Sequence, residues 1–254
     1  MSIQKIARLA GVSVATVSRV LNNSDTVKPK NRERVLQAIK ESNYQPNLLA
    51  RQLRTARSYM ILVMVSNIAN PFCAEVVKGI EEEAEQHGYR ILLCNSGSDL
   101  ARSTSGLRLL SGKVVDGIIT MNALSSLPEL TMMIGDAPWV QCAEYADAGS
   151  ISCVGINDID AAQGAVSRLA ESGYRRIALI NHDLSYRYAR LRERGYKNVL
   201  HVRELAWQQV AYASDLSAAA GKAAMETLLA SKERPDAVFA VADSLAAGAL
   251  RAIA

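Results

Sequence analysis

The stretch Ala10-Gly11-Val12-Ser13-Val14-Ala15-Thr16-Val17-Ser18-Arg19-Val20-Leu21-Asn22 constrains the fold more than any other part of the chain. A glycine takes a tight left-handed turn without steric cost, and Ser13 is placed to cap the helix that follows. Ile6, Leu9, Ala10, Val12, Val17, Val20 and Leu21 fall at spacings that let two short helices, over residues 3–10 and 13–21, share one small core. Val14, Ala15, Ser18, Arg19 and Asn22 are left pointing outward. Two readings fit this pattern. Either it is the turn and recognition helix of a helix-turn-helix, with the outward set facing a DNA groove, or it is a helical hairpin whose polar face is solvated.

Charge distribution bears on that choice. The net charge of +4 hides an asymmetry: residues 1–58 hold 11 Lys/Arg against 3 Asp/Glu, and the remainder holds 18 against 22. A small basic head on a mildly acidic body suits a head that approaches a polyanion and a body that does not. A third helix is predicted over 29–41, with Pro29 in its first turn and Arg32, Val35, Leu36 and Ile39 on alternate faces. Lys28, Lys30, Arg32 and Arg34 crowd its start, as a phosphate-contacting end or as a solvated charged face. After Asn43-Tyr44-Gln45-Pro46, residues 47–54 offer a cap and two turns of good helix formers, too short to be stable alone. Leu49 and Leu53 need a receiver, either the body or, in a helix formed when two copies meet on DNA, a minor-groove base step.

From Tyr59 the hydrophobic period changes. Strands are predicted at 60–65, 89–94, 117–121, 139–142, 154–156, 177–180 and 237–241, and helices at 72–88, 100–111, 127–134, 161–172, 190–200, 218–230 and from 244 onward. Alternating strands and helices make a parallel α/β sheet, divided by length into two lobes, with strand-end loops available for a ligand. The chain of 254 residues, 49% hydrophobic, is long enough for such cores and is not of disordered composition.

Other function classes find little support. Cys73, Cys94, Cys142 and Cys153 form no C-x-x-C pair, and His87, His182 and His201 are scattered, so neither a metal nor a disulfide framework is expected. The cysteines read as small buried hydrophobes in a reducing compartment. No dinucleotide, P-loop or nucleophile-elbow motif is present, so no enzyme and no cofactor is expected. No early segment resembles a signal peptide and no run approaches a membrane span, which points to the cytoplasm. A sugar or nucleoside receptor without transcriptional duty is the competing binding-module reading, opposed by the basic head.

The motif Ala7-x-x-Ala10-Gly11-Val12-Ser13-x-x-Thr16-Val17-Ser18-Arg19-Val20-Leu21-Asn22, followed by Arg32-Glu33-Arg34-Val35 and Asn43-Tyr44-x-Pro46-Asn47, resembles the lactose and galactose repressor family. The resemblance continues through Asn70-Pro71-Phe72, Val115-Asp116-Gly117-Ile118-Ile119, Gly173-Tyr174-Arg175-Arg176-Ile177-Ala178, Arg192-x-x-Gly195-Tyr196 and Ala242 to Leu250. It implies a helix-turn-helix head at 1–46, a hinge helix and linker at 47–58, and two lobes of a periplasmic-binding-protein-like α/β core at 59–157 and 158–254.

Residue by residue, the resemblance implies that Val14, Ala15 and Arg19 read base edges in the major groove. Thr16, Ser18, Asn22 and nearby main chain then hold the phosphate backbone, Ser13 belongs to the same DNA-binding set, Leu53 is a minor-groove wedge and Arg54 tracks that groove. Of the base readers only Arg19 can grip guanine with two hydrogen bonds. The implied partners are a near-palindromic operator, a second copy of the chain, and a sugar or nucleoside effector held by Asn70, Phe72, Asn157, Asp158, Arg192 and Asp243. Arg192 offers a fork of donors that suits a hydroxyl pair or a carboxylate.

Three positions depart from the family pattern. Cys73 stands where a second aromatic ring is common, which weakens ring stacking on a nucleobase, and Ala242 replaces a frequent asparagine. The chain ends at Ala254, where the family continues with further strand–helix units. Lobes short of strands, with unpaired edges, are therefore expected, and a regulator that binds DNA without responding to effector is the alternative to a controlled repressor.

Overall fold

The computed structural model describes residues 2–21, 26–44, 57–97, 99–122, 128–145 and 151–254. They fall in two compact units, Met1–Ser58 and Tyr59–Ala254.

Among the described residues the first unit holds three helices, α1 (Ile3–Ala10), α2 (Val14–Leu21) and α3 (Pro29–Glu41). Ser2 caps α1, and Gly11 ends it at φ +62°, the left-handed conformation expected of a glycine there. Arg34 from α3 lays its guanidinium against this turn, so that a Cβ on Gly11 would stand 2.5 Å from Arg34 Nη2. Ile6, Ala7, Ala10, Val17, Val20, Val35 and Ala38 close the core, with Val12, Leu21 and Ile39 packed against it. Leu9 departs from expectation and is exposed. The buried stripe of α1 runs Ile3, Ile6/Ala7, Ala10, and Leu9 lies off that 3–4 spacing. The predicted hinge helix at 47–54 lies outside the described residues.

Among the described residues the second unit contains two parallel sheets. Its elements in order are β1 (Met60–Val65), α4 (Pro71–Gln86), β2 (Arg90–Asn95), α5 (Leu100–Ser111), β3 (Gly117–Thr120), α6 (Pro128–Ile134), β4 (Trp139–Cys142), β5 (Ser152–Val154), α7 (Asp158–Glu171), β6 (Ile177–Asn181), α8 (Arg187–Val202), β7 (Gln209–Tyr212), α9 (Ala218–Leu229), β8 (Ala237–Ala240) and α10 (Asp243–Ile253). The first five strands pair in the order β2-β1-β3-β4-β5 and the last three in the order β7-β6-β8.

Alternation along β1 explains why it is apolar throughout. Leu62 and Met64 pack with Leu107, Leu110, Ile118, Leu130 and Ile134 on one face, while Val63 and Val65 pack with Cys73 and Val77 on the other. In the second sheet Ile177, Ala178, Leu179 and Ile180 are fully buried, and the buried Tyr196 hydroxyl donates to the Ile177 carbonyl at 2.7 Å.

Most elements stand where their periodicity predicts, and the departures have local causes. Helix α7 begins at Asp158 rather than near residue 161, because the Asn157 side chain accepts from the Asp160 N–H and caps it. Strand β5 is Ser152–Val154, displaced from 154–156, and is exposed along its length. Strand β7 was not expected. Its sequence Gln-Val-Ala-Tyr has little hydrophobic signal, and pairing with β6 in the register Ala178↔Gln209 defines it. Among the cysteines Cys73 is buried but Cys153 is exposed, contrary to a uniformly buried set.

Candidate functional site

On the first unit, helix α2 is capped as the sequence requires. The Ser13 Oγ accepts from the Thr16 N–H at 3.1 Å and shares a 2.9 Å hydrogen bond with the Thr16 hydroxyl. Both hydroxyls are thus already engaged within the helix start. Val14, Ala15 and Arg19 are exposed, Thr16 and Ser18 half-buried, and Val17 and Val20 hold the opposite face in the core. Small side chains beside one long cation leave the helix surface low enough to approach a groove, with a single guanidinium reaching from it. Asn22, Leu53 and Arg54 lie outside the described residues. Lys28 and Lys30 are exposed at the start of α3.

On the second unit, the residues nominated for an effector stand at the carboxyl ends of parallel strands, where open α/β sheets bind ligands. Asn70 caps α4 after β1 by accepting from the Phe72 N–H at 3.1 Å, and Phe72 is exposed. Asn157 caps α7 after β5 and donates to Asp160 Oδ2 at 2.6 Å. Asp243 is exposed in the first turn of α10, after β8.

Asp158 and Arg192 are brought together. Arg192 Nε donates to Asp158 Oδ1 at 2.8 Å and its Nη1 to the Val241 carbonyl at 2.5 Å. The Asp158 carboxylate is almost wholly buried, so it serves first as a counter-ion to Arg192. Arg187 Nη1 approaches the same carboxylate at 3.7 Å, and the Arg187 guanidinium covers the Tyr145 ring at 4.2 Å.

Several residues of this junction escaped the sequence reading. Glu144, just after β4, is buried and accepts from the Arg187 N–H at 2.7 Å and the Tyr188 N–H at 3.4 Å. It thereby caps α8, a helix of the second sheet, from the end of a strand of the first. Burial pushes the Glu144 carboxyl above the usual carboxylate range, against the pull of those two N–H groups and of Arg190 and Arg187. Tyr188 is flanked by His182, whose Nδ1 lies 2.8 Å from the Tyr188 hydroxyl, and by the Arg192 guanidinium, 5.3 Å from its ring. Burial drives the Tyr188 phenol up and the His182 imidazole down, so both are neutral near pH 7.

Deeper in the same lobe, Glu193 accepts from Asn181, Lys197 and Tyr212 at 2.8, 2.6 and 3.0 Å. Burial would raise its carboxyl, but these three donors hold it below the ordinary value. No periodicity marks any of these residues. The available signal was polar residues in a row at strand ends, Asn181-His182-Asp183 and Glu144-Tyr145.

Comparison with known proteins agrees with both halves. Residues 2–47 match the bacterial regulatory proteins of the lacI family, and residues 58–254 match the periplasmic binding proteins and sugar binding domain of the LacI family. The ribose operon repressor of Halalkalibacterium halodurans is 34% identical over 251 residues, covering 99% of this chain and 74% of that protein. A lac repressor dimer bound to operator and the anti-inducer ONPF superposes with a TM-score of 0.84 at 28% identity, over 100% of this chain and 77% of that one. An uncharacterized protein from Actinobacillus succinogenes is 59% identical, with a TM-score of 0.74 over 78% of this chain and 74% of that one. The capped recognition helix, the two parallel sheets and these matches together place the chain in the LacI family of transcriptional regulators, with a helix-turn-helix head and a sugar-binding-type body.

Proposed function

We propose that this regulator acts in the cytoplasm as a homodimeric repressor on a near-palindromic operator, without catalysis, and that a small effector bound between the lobes controls it. The head, at 1–46, is joined by a hinge at 47–58 to lobes at 59–157 and 158–254. The observation that carries the reading is the exposed set Val14, Ala15 and Arg19 on a helix whose start Ser13 caps. Arg19 grips guanine, Val14 and Ala15 fit against thymine methyls, Thr16, Ser18, Asn22 and nearby main chain hold phosphates, and Ser13 sits at the DNA-facing start of the helix. Leu53 enters the minor groove at the operator centre, beside Leu53 of the second copy, with Arg54 in the narrowed groove.

The effector belongs to the sugar or nucleoside class and meets Asn70, Phe72, Asn157, Arg192 and Asp243, with Asp158 behind Arg192. Arg192 and Tyr188 lie one turn apart on α8, whose first turn hangs on Glu144 of the other lobe. A ligand there acts on a contact between lobes, which is what a switch requires.

Selection of bound DNA from a random pool, with and without candidate sugars, tests the whole reading. D-Ribose is included because a ribose operon repressor is among the relatives. Recovery of an inverted repeat whose retention changes with one sugar is expected. Recovery of no sequence preference would sink the repressor assignment, and a preference indifferent to every sugar would remove the effector control.

A further inference from the structure

Helix α8 concentrates positive charge on a body that is otherwise acidic. It carries five of the 18 Lys/Arg of residues 59–254 and one of their 22 Asp/Glu. Two of the five, Arg187 and Arg192, share the Asp158 carboxylate. The other three, Arg190, Arg194 and Lys197, are exposed and spaced i, i+4 and i+7, so they form one stripe along the helix. Arg192 lies two positions from both Arg190 and Arg194, and at 3.6 residues per turn it points roughly 160° away from them. The stripe therefore faces away from the junction where Arg192 meets Asp158.

Like charges four residues apart on a helix repel unless an acidic residue one turn away relieves them. Glu193 is the one acid at such a spacing, and it already accepts from Lys197, Asn181 and Tyr212. The Lys197 ammonium keeps two of its three N–H groups without a partner among the described residues. Arg190 Nη1 donates to the Leu184 and Ser185 carbonyls at 2.8 and 2.7 Å, which ties the guanidinium to the loop before α8. Its Nε and Nη2 have no hydrogen-bond partner among the described residues, and neither do the Arg194 guanidinium and the Asn198 amide.

These donors surround a concavity and not a flat face. Leu184, Arg190, Glu193, Arg194, Lys197 and Asn198 line a cavity of about 350 Å³. Leu184 is an exposed apolar side chain at its wall. Cations converging on a hollow can meet one ligand together, which separated cations on a convex surface cannot do.

We propose that this cavity binds a small organic molecule carrying two or more negative charges, a phosphate ester or a polycarboxylate. Its oxyanions lie among Arg190, Arg194 and Lys197, the Asn198 amide donates beside them, and its carbon skeleton rests against Leu184. The anion supplies the counter-charge that the stripe lacks within the body. This site is separate from the effector junction and does not depend on that reading.

Calorimetric titration of the full chain at fixed ionic strength tests it, with citrate and D-ribose 5-phosphate as probes and inorganic phosphate and D-ribose as controls. At least one of the two organic anions is expected to bind, more tightly than inorganic phosphate, and to weaken as salt is raised. Citrate alone would identify a polycarboxylate and D-ribose 5-phosphate alone a phosphate ester; either supports the site. Arg194→Gln is expected to weaken the bound anion on the order of tenfold, the loss of one charged contact, and Asn198→Ala to weaken it less. Arg192→Gln should leave that affinity unchanged, and Arg194→Gln should leave any binding of neutral D-ribose unchanged. Thermal unfolding checks that each variant folds, and if one does not, the other decides.

No binding of either organic anion overturns the proposal, as does binding indifferent to Arg194→Gln and Asn198→Ala. Loss on Arg192→Gln with none on Arg194→Gln moves the anion to the junction and equally overturns it. Inorganic phosphate binding as tightly as the organic anions removes the Leu184 contact and with it the ligand class. Displacement of the anion by non-specific duplex DNA would assign the stripe to a phosphate backbone instead.

Discussion

Arg19 and Val14 differ in what they can tell a regulator about its DNA. Both are exposed on α2, but only the guanidinium can make two hydrogen bonds to one base, whereas Val14 offers shape. Arg19→Ala is expected to cost about 1–3 kcal/mol of specific binding and to relax preference at one base pair per half-site, read by competition against point-substituted operators. Loss confined to overall affinity, with the preference intact, would reassign Arg19 to the phosphates. His182 carries a prediction of a different kind. Its imidazole is held below the ordinary value by burial, against Asp183 and Asp215, so the folded protein favours the neutral ring. As pH falls below about 6.5 the unfolded chain gains a proton that the folded one resists, and stability drops through the window down to the lowered folded value. His182→Gln should flatten that part of a melting-temperature profile between pH 7 and 5. The lowered Asp183 and Asp215 carboxyls affect stability only at more acidic pH, below the usual carboxylate value.

Helix α8 owes its position to residues outside it. Glu144 accepts two of its first N–H groups, and those N–H groups belong to Arg187 and Tyr188, the start of the segment that carries Arg192. Glu144→Ala should accelerate hydrogen exchange at these two amides while leaving the melting temperature nearly unchanged. Burial of the Glu144 charge offsets much of what its hydrogen bonds contribute, as its raised carboxyl records. A large drop in melting temperature with no local change in exchange would show that Glu144 is a global support and not a local cap. Helices α9 and α10 meet more closely than side chains permit. A Cβ on Gly248 would run into the Ala218 carbonyl, and one on Gly221 into the Leu245 backbone. Gly248→Ala must push two helices apart and is expected to destabilise the body by about 1–3 kcal/mol, measured by urea unfolding. The Ala242-to-Leu250 motif is legible as sequence, yet the reason for its glycine is visible only where α9 lies against it.

At the scale of the molecule, charge and function divide along the chain. The basic residues 1–58 and the acidic remainder match the division into a DNA-reading head and a body with a sugar-binding fold. Operator affinity should fall linearly with the logarithm of salt concentration, and replacing exposed Lys30 by alanine should reduce that slope by about one if it neutralises a phosphate. An unchanged slope would return Lys30 to the solvated face that its sequence also allowed. The parallel α/β body followed from its alternating apolar runs, because a strand covered on both faces, such as β1, must be apolar at every position. Strand β7 did not follow, because a short half-polar segment acquires its strand character only from the neighbour that pairs with it.

What the sequence determined by itself was local or periodic. The Gly11 turn, the Ser13 cap and the stripe through Ile6, Ala10, Val17 and Val20 depend on conformational preference and spacing within a few residues, which a linear string records. The tertiary structure decided the pairing of charges. Asp158 and Arg192 are 34 positions apart and were each legible as a polar residue near a ligand. Only the packing of α7 against α8 brought them to 2.8 Å, turning two nominal ligand contacts into one neutralised pair. Glu144 reached α8 from 43 residues away in the same manner. Electrostatic partnership depends on distance and burial, and no spacing rule along a chain encodes either for residues on different elements.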